Sequence, residues 1–401
     1  MASQAAIERV PEELAAAVAS LLESHPPAVT DPVEFLRAQF DAGLAYVWFP
    51  PGHGGMDLPL ELQRWVDERL FDAGAPPSGR VTNAIAAGQG AATIVAYGSD
   101  DQKQRYLRPL FTGELLGCQL YSEPGAGSDL ASLSTSAVLD GDTWVVNGQK
   151  VWTSGARHAG IAILLARTDP DAPKHAGLTQ FVLDMHAPGV EVRPLRQMDG
   201  GAEFSEVFLT DVRVPDAERL GDVNAGWTVA RHTLVFERYN MPHIPERGEG
   251  PIAACVRAWR ARVDRESAAA QAVRSQLIRH WVDLEVLRLL QIRANALRSV
   301  GSSGPEGSVL KLATSVTGRR LAEWAPVLEG AAGSLLASGY APDVDGAFLR
   351  PRWADGTTRA CLASPGMSIA GGTDQIQRNI IGERVLGLPR EPVAAQPRRA
   401  N

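Results

Sequence analysis

The chain has 401 residues, enough for two or three domains of ordinary size. Its formal net charge of −7 argues against a general nucleic-acid binder, because such proteins carry a basic surplus. Cys118, Cys255 and Cys361 lie far apart and form neither a disulfide framework nor a zinc spacing, so no metal site is expected. No apolar run approaches the roughly 20 residues that span a bilayer, and Met1 to Glu13 lacks a signal-peptide core. We therefore expect a cytoplasmic protein without a membrane span.

The first part of the chain, residues 1–114, is predicted to form an N-terminal helical domain. Apolar residues at helical spacing predict a helix over Ala5–Glu23, and the prolines after His25 end it. Asp31 followed by Pro32 is typical of a second helix start. Further helices are predicted over Leu60–Phe71, Ala84–Tyr97 and Gln104–Leu110.

The middle part, residues 115–222, changes to β-branched residues and frequent turns, which predicts short strands. The segment Asp140-Gly-Asp142 between two such stretches predicts a hairpin, and Asn147-Gly148 predicts a second one. Further strands are predicted over Ile161–Ala166, Gln180–Asp184 and Ser205–Val214. This density of short strands indicates a small antiparallel β-barrel or sandwich.

The last part, residues 223–401, is predicted to form a C-terminal four-helix-bundle domain. Apolar residues repeat every three or four positions from Leu277 to Leu297, and Gly301 to Pro305 break that helix. Helices are also predicted over Val309–Leu328 and Asp374–Val385, and the tail after Pro389 is expected to be loose. The fold class is therefore α+β and multi-domain, in the order helical, β, helical.

Two segments of the middle part suit a flat, phosphate-bearing cofactor. They are Gln119-Leu-Tyr-Ser-Glu-Pro-Gly-Ala-Gly-Ser-Asp129 and Asn147-Gly-Gln-Lys-Val-Trp-Thr-Ser-Gly155. Glycines allow the backbone to approach a ligand and to point N–H groups at anionic oxygens. Together with Gly372-Thr-Asp-Gln-Ile-Gln-Arg378, these motifs make the chain resemble the acyl-CoA dehydrogenase family over roughly residues 30–390.

The resemblance implies FAD as cofactor, α,β-dehydrogenation of an acyl-CoA thioester, and an electron-transfer flavoprotein as electron acceptor. It also implies a homo- or heterotetramer arranged as a dimer of dimers. Ser128 is placed beside the cofactor or the CoA thioester, Trp152 against the flavin, and Ser154 near flavin N5. The complete set of cofactor residues implied by the family motifs is Gln119, Tyr121, Ser122, Gly127, Ser128, Trp152, Ser154, Thr373 and Gln375.

The catalytic base departs from the commonest family pattern. Many members carry a glutamate just before the Gly-Thr of the last motif, but this chain has Ala370 and Gly371 there. Other members place it in a Leu-x-x-Glu-Arg pattern, which corresponds to Leu234-Val-Phe-Glu-Arg238. The resemblance therefore implies that Glu237 is the base and that the Gly371 N–H polarises the thioester carbonyl. Arg238 would support the site or bind CoA, and a surface or salt-bridge role for it is equally open.

Two family features are missing, and they leave other readings open. The Arg-x-x-Phe-Gly motif that reaches a neighbouring subunit's FAD is absent between 255 and 280, and no glutamine precedes the paired glycines near Leu328–Gly333. The Gly304-Pro305-Glu306 segment is similar to that of members in mixed assemblies. A half-site or non-catalytic subunit is thus one alternative, and a flavin oxidase or monooxygenase on the same scaffold is another.

The acyl group is only weakly indicated. The small residues at 370 and 371 favour a branched or ring-bearing acyl group, as in fatty acid or sterol side-chain catabolism. An acyl group carried on a protein instead of on CoA is an alternative substrate.

Overall fold

A computed structural model of the chain describes residues 10–239, 245–262, 264–299, 306–336, 353 and 356–390, with backbone only at 237–239, 295, 298 and 299. These residues form two units, one ending at residue 239 and the other beginning at residue 245. The order of helical region, β-sheet and helical region confirms the predicted fold class.

Helices make up most of the described chain before residue 113. The Asp31 carboxylate accepts hydrogen bonds from the N–H groups of Val33 and Glu34, which confirms the predicted helix start there. The first helix begins only after Pro11, later than predicted, because Val10 and Pro11 are not helical; Ala5 lies outside the described residues. The helices are α1 Glu12–Ser24, α2 Pro32–Asp41, α3 Leu62–Asp72, α4 Gly79–Thr82, α5 Ala91–Tyr97 and α6 Asp100–Thr112.

The predicted helix over 84–97 is not uniform. Ala84–Gly90 forms a π-helix that continues into α5. The Tyr46 hydroxyl donates to the backbone oxygen of Ala87 in this segment, at 2.6 Å, and the Tyr46 ring is fully buried. Short π-helical segments occur frequently at functional sites.

One eight-stranded sheet forms the centre of the first unit, in the order β6-β7-β3-β2-β4-β5-β8, with β1 paired to β4. Most neighbours are antiparallel, whereas β1 runs parallel to β4. The strands are β1 Gly117–Leu120, β2 Ser136–Asp140, β3 Thr143–Ser154, β4 Ile161–Arg167, β5 Leu178–Asp184, β6 Val190–Leu195, β7 Phe204–Pro215 and β8 Arg219–Leu220. The sequence patterns did not predict β1, β6 or β8. Helix α7, Gly226–Tyr239, completes this unit.

Strand β4 is buried on both of its faces, which explains its continuous apolar sequence. Ile161, Ile163 and Leu165 belong to the core that the sheet shares with the N-terminal helices and α7. The alternate residues Ala162 and Leu164 belong to a second core on the opposite face. The N-terminal helices and α7 therefore cover one face of the sheet. On the other face, side chains from the strands pack mainly against one another.

The predicted hairpin at Asn147-Gly148 is wrong, because both residues lie inside β3, at a shift in its register with β7. The Asn147 side chain donates to Asp211 Oδ1 and accepts from the Asp211 N–H, so it holds the bulge and makes no turn. A Cβ at Gly148 would lie 2.4 Å from Thr135 Oγ1. Glycine is thus required by close packing. The hairpin at Asp140–Asp142 is confirmed, with Gly141 at φ +67°.

The described residues of the second unit form helices joined by turns and loops, with no strand among them. Its core contains Ile252, Cys255, Leu277, Leu321 and Leu328. The predicted helix over 309–328 ends earlier, at Trp324, and continues as 3₁₀ turns. The helices are α8 Pro251–Ala261, α9 Ala268–Ser299, α10 Glu306–Trp324, α11 Thr357–Ala363 and α12 Asp374–Arg384. The predicted break over 301–305 and the predicted loose tail from 391 onwards lie outside the described residues.

No helix in the described ranges is both long and apolar enough to cross a membrane. Within the same ranges, no group of three or more His, Cys, Asp or Glu residues is placed to hold a metal ion. Cys118, Cys255 and Cys361 are free thiols.

The packing of Gly148 yields a stability prediction. Replacing Gly148 by alanine should destabilise the first unit by about 1–3 kcal/mol, because the new methyl group overlaps Thr135. Gly125→Ala is a matched control, since a Cβ at Gly125 meets nothing within 4 Å. Urea unfolding followed by tryptophan fluorescence measures both variants. Equal unfolding midpoints for the two would contradict the packing explanation.

Candidate active site

A fully buried lysine connects the two predicted cofactor segments. Lys150 lies on β3 with 0% exposure, and its Nζ donates to the backbone oxygens of Tyr121 at 3.0 Å and Leu165 at 2.8 Å. Its third contact is the Glu123 carboxylate, at 2.9 Å. An ammonium group has three donors, so all of them are satisfied. Lys150 therefore ties the loop after β1 to β3 and β4.

The Glu123 carboxylate also has hydrogen-bond donors for both of its oxygens. It accepts from the N–H and hydroxyl of Ser134, both at 2.7 Å, and from the N–H of Thr135 at 2.8 Å. Burial alone would raise the pKa of Glu123, but the Lys150 charge and the hydrogen bonds from Thr135 and Ser134 lower it to about 2. Burial lowers the pKa of Lys150, against the opposing charge of Glu123. The pair is thus ionised at neutral pH.

This ion pair places the loop directly beside the tryptophan segment. The Val151 N–H donates to the backbone oxygen of Ser122 at 2.9 Å. Glu123 and Ala126 exchange two backbone hydrogen bonds at 3.0 Å, which closes a tight turn. Gly127 and Ser128 beyond the turn are exposed. The predicted loop is therefore anchored at its base and accessible at its tip.

Trp152 combines backbone strain with exposure. Its φ is +59°, a value that aromatic residues rarely adopt, and it lies where the β3–β7 register shifts between Lys150 and Thr153. The side chain is 60% exposed, with its ring edge-on to Phe204. Strained residues of this kind cluster at active sites and ligand clamps. The bulge thus presents a large flat ring to solvent.

The other predicted residues of this unit fall into two groups. Ser154 and Ser122 are half-buried, whereas Thr153 between Trp152 and Ser154 is buried. The Tyr121 ring is turned into the core, where its hydroxyl donates to Gln180 Oε1 at 2.9 Å. The Gln119 side chain accepts from Gln89 Nε2 at 2.6 Å.

In the second unit, the predicted glycine pair and helix start are confirmed as local structure. Gly371 and Gly372 have φ values of +67° and +88°, and the Thr373 hydroxyl caps α12 by accepting from the Ile376 N–H. Gln377 Nε2 donates to the Gly371 oxygen at 3.4 Å. Gln375 is exposed on the first turn of the helix.

A second buried lysine holds this motif. Lys311 Nζ donates to the Met367 oxygen at 3.1 Å and to Asp374 Oδ1 at 3.3 Å, and the Ser315 hydroxyl donates to the same carboxylate. Burial would raise the pKa of Asp374, but the hydrogen bonds from Ser315 and Lys311 lower it. The acidic first residue of α12 is therefore a structural anchor.

Glu237 and Arg238 lie in the last turn of α7, in the first unit, and their side chains are outside the described atoms. Helix α7 itself packs against the π-helix, α5 and β5. Its buried Thr233 hydroxyl lies 2.8 Å from that of Thr93 and 3.4 Å from Gln180 Nε2.

Sequence reasoning missed several residues that support these positions. Glu123 and Lys150 stand inside recognised motifs, yet no role was assigned to them. The two-residue alternation of β3 is a usable signal, because Lys150 has the same parity as the buried Trp144 and Val146, so its side chain is expected to face the interior. Gln89 and Gln180 stand alone in apolar stretches, which likewise indicates buried polar groups with partners.

The residues present suit a flat, phosphate-bearing cofactor such as FAD. A Cβ at Gly125 or Gly127 meets nothing within 4 Å, so open space borders the loop. The Trp152 ring lies exposed beside the same loop. In the second unit, the capped helix start offers backbone N–H groups of the kind that bind phosphate.

Comparison with known proteins identifies the class of protein. Three family models match in order: the acyl-CoA dehydrogenase N-terminal domain over residues 2–114, the middle domain over 118–212 and the C-terminal domain over 224–386. The chain belongs to the acyl-CoA dehydrogenase family, whose members are oxidoreductases.

Individual relatives agree with this assignment. The chain is 37% identical to acyl-CoA dehydrogenase IpdE1 of Mycobacterium tuberculosis over 352 residues, which cover 87% of this chain and 86% of that protein. The ChsE4-ChsE5 complex from Mycobacterium tuberculosis has a similar chain, with a TM-score of 0.68 and 28% identity, covering 96% of this chain and 100% of that one. The Tcur3481-Tcur3483 steroid ACAD gives a TM-score of 0.69 and 26% identity, covering 96% and 99%.

The buried ion pair predicts strong coupling between its two members. Lys150→Met should destabilise the protein by about 3–5 kcal/mol, because it leaves the buried Glu123 carboxylate without its counter-charge. The double variant Lys150→Met/Glu123→Gln should lose less than the sum of the single losses. Chemical denaturation of the four proteins measures the coupling.

Arg213→Met provides the control, since the Arg213–Asp140 pair links β7 to β2 across β3 but is exposed. Its stability should stay close to that of the parent protein. Strictly additive losses at Lys150 and Glu123 would contradict the ion-pair interpretation.

Proposed function

We propose that this protein catalyses the FAD-dependent α,β-dehydrogenation of an acyl-CoA thioester to the trans-2-enoyl-CoA. The main support is the strained, exposed Trp152 beside the anchored loop at Ser122, in a chain of the acyl-CoA dehydrogenase family. Strain of this kind persists only where the surrounding structure holds it; here Lys150, two residues before Trp152, is held by its ion pair with Glu123.

FAD-binding residues are proposed in each unit separately. From the first unit we assign Gln119, Ser122, Gly127, Ser128, Trp152 and Ser154. Tyr121 would contribute through its backbone, because its ring is buried. From the second unit we assign Thr373 and Gln375, which lie at a helix start suited to phosphate. Bound FAD would supply the acceptor, at flavin N5, for the β-hydrogen and its electron pair.

Glu237 is the proposed base. It would take the α-proton of the thioester while the Cα–Cβ double bond forms and the β-hydrogen leaves as hydride. No carboxylate is present at Ala370 or Gly371, where the commoner family pattern places the base. Exclusion of water by the acyl group would raise the pKa of the carboxylate and strengthen it as a base.

The α-proton of a thioester is weakly acidic, so the carbonyl oxygen must be stabilised as charge develops on it. We assign one donor to the backbone N–H of Gly371, which a glycine retains after the loss of a carboxylate side chain at this position. Arg238 follows the base, and with Ser128 it is proposed to contact the substrate.

The substrate is proposed to carry a bulky acyl group, branched or ring-bearing. Ala370 and Gly371 remove side-chain volume beside the reacting carbon. A structurally similar chain belongs to a protein described as a steroid acyl-CoA dehydrogenase, which supports the same direction. An electron-transfer flavoprotein is the proposed acceptor for the electrons.

The protein is also proposed to act in an assembly of several chains. Apolar side chains on one stripe of α9 are between 41% and 60% exposed; they are Ile278, Val282, Val286, Leu289 and Ile292. Such a surface is usually covered by another chain. Similarity to a chain of a two-protein complex supports a heteromeric partner, which makes a non-catalytic subunit the second candidate function.

Removing the proposed base should distinguish a catalytic dehydrogenase from a non-catalytic subunit. Glu237→Gln should slow flavin reduction by at least about 10²-fold, because the amide cannot accept the α-proton. The measurement is anaerobic mixing of the FAD-loaded protein with a panel of acyl-CoA thioesters, with flavin bleaching as readout. Glu34→Gln, at an exposed glutamate of α2, should bleach like the parent protein.

Bleaching at the parental rate in Glu237→Gln would contradict the assignment of the base. A colourless parent protein that takes up FAD only with a second chain would favour the non-catalytic subunit.

The α9 stripe gives a prediction about assembly. Val286→Arg should lower the mass of the assembly in sedimentation velocity, because a guanidinium is costly to bury at an apolar interface. Val29→Arg tests an exposed valine outside the stripe and should leave the mass unchanged. An unaltered mass for Val286→Arg would exclude this stripe as the contact surface.

A further inference from the structure

A continuous chain of buried polar groups passes through the first unit and converges on helix α7. The Tyr121 hydroxyl donates to Gln180 Oε1 at 2.9 Å, and Gln180 Nε2 donates to the Thr233 hydroxyl at 3.4 Å. The Thr233 hydroxyl lies 2.8 Å from that of Thr93. Thr93, Gln180 and Thr233 are all 0% exposed, so these contacts are shielded from water.

The series of polar groups continues back to the end of β1, next to the residue at which it began. The Thr93 hydroxyl donates to the backbone oxygen of Gln89 at 2.8 Å, and the Gln89 side chain donates to Gln119 Oε1 at 2.6 Å. Gln119 and Tyr121 flank Leu120 at the end of β1. Both ends of the chain therefore lie at the proposed flavin-binding segment, and its middle lies on α7.

Thr233 is the point where these links meet. Its hydroxyl accepts a hydrogen bond from Gln180 Nε2 on β5 and lies within hydrogen-bond distance of the Thr93 hydroxyl on α5. It also lies 3.1 Å from the Val229 backbone oxygen of its own helix. Each hydroxyl has one proton, so the two threonines share their donors between each other and these backbone oxygens. Apolar contacts of Val229 and Ala230 bury α7, but they are not directional. The hydrogen bond from Gln180 on β5 is directional, so it is the attachment to the sheet that fixes the rotation of α7 and its position along its axis.

We propose that Thr233 is a positioning residue that sets the place of α7 relative to the end of β1, and through it the place of the base. This inference rests on the proposed function, because Glu237 follows Thr233 by one helical turn on α7. Proton abstraction requires the base within hydrogen-bond reach of the α-carbon. A displacement of about 1 Å costs on the order of 10²-fold in rate.

Replacing the hydroxyl by a methyl group tests the role of Thr233. Thr233→Val keeps the shape of the side chain but leaves Gln180 Nε2 without its acceptor. Flavin reduction by the acyl-CoA thioester that the parent protein uses fastest should slow by about 10- to 100-fold. FAD content and the thioester concentration for half-maximal rate should change less than about twofold, since a positioning residue contacts neither. Thr233→Ser restores the hydroxyl and should recover most of the rate.

Thr93→Val is the matched control. It removes the other hydroxyl of the pair and disrupts the same core, but it preserves the link from Gln180 to Thr233. Its rate should stay within about threefold of the parent protein at a comparable loss of stability. The inference is overturned if Thr233→Val retains the parental rate, or if Thr93→Val slows reduction as much as Thr233→Val does.

Hydrogen–deuterium exchange keeps this test independent of the proposed chemistry. Amides in the last turn of α7 should exchange faster in Thr233→Val than in Thr93→Val, and equal exchange would overturn the positioning role. If Glu237→Gln keeps the parental rate, the proposed base fails while the exchange result still decides how α7 is held. If Glu237→Gln is slow and Thr233→Val is not, only the positioning role fails.

Discussion

A lysine ammonium group that is fully removed from water must find charged or polar partners for all of its donors, because an unpaired buried charge is strongly unfavourable. Lys150 meets this requirement with the Glu123 carboxylate and two backbone oxygens, which belong to Tyr121 and Leu165. These partners come from the loop after β1 and from β4, while the lysine comes from β3. The buried Lys150–Glu123 pair therefore holds the loop after β1 beside β3, where the exposed Trp152 lies.

The second unit also contains a buried lysine that is paired with a carboxylate. Lys311 binds the Asp374 carboxylate under the helix start that follows Gly372 and Thr373. In both units the anchoring groups are buried, and the neighbouring residues Ser128 and Gln375 are exposed. Rigid anchoring of the backbone allows a binding segment to present small, polar and glycine residues without relying on those residues for its own stability. The exposed binding residues can therefore be chosen for ligand contacts, while the buried ion pairs hold the backbone in place.

Much of this could be predicted from the sequence, and the failures have physical causes. Helix starts at Asp31 and Thr373 were predictable because capping is local. Asn147-Gly148 was misassigned, because an Asn-Gly pair satisfies a hairpin turn and a packed bulge equally well; the distinction lies in Thr135, which is distant in sequence. Strand β1 is too short for a pattern, and it pairs with β4 across more than forty residues. The left-handed backbone at Trp152 lies at the shift in the register of β3 with β7, which no local rule contains.

The location of the proposed base determines which contacts of the fold must be precise. A base just before Gly372 would depend on the loop that carries the cofactor motif, whereas a base at Glu237 depends on a whole helix. A helix that is buried only by apolar residues can slide and rotate slightly, because such contacts vary little over small displacements. Helix α7 carries a threonine that is bound from both α5 and β5 in the dry interior, where hydrogen bonds are strong and costly to break. The proposed location of the base on α7 would therefore explain why this helix has a polar attachment to the sheet among the apolar contacts of its surroundings.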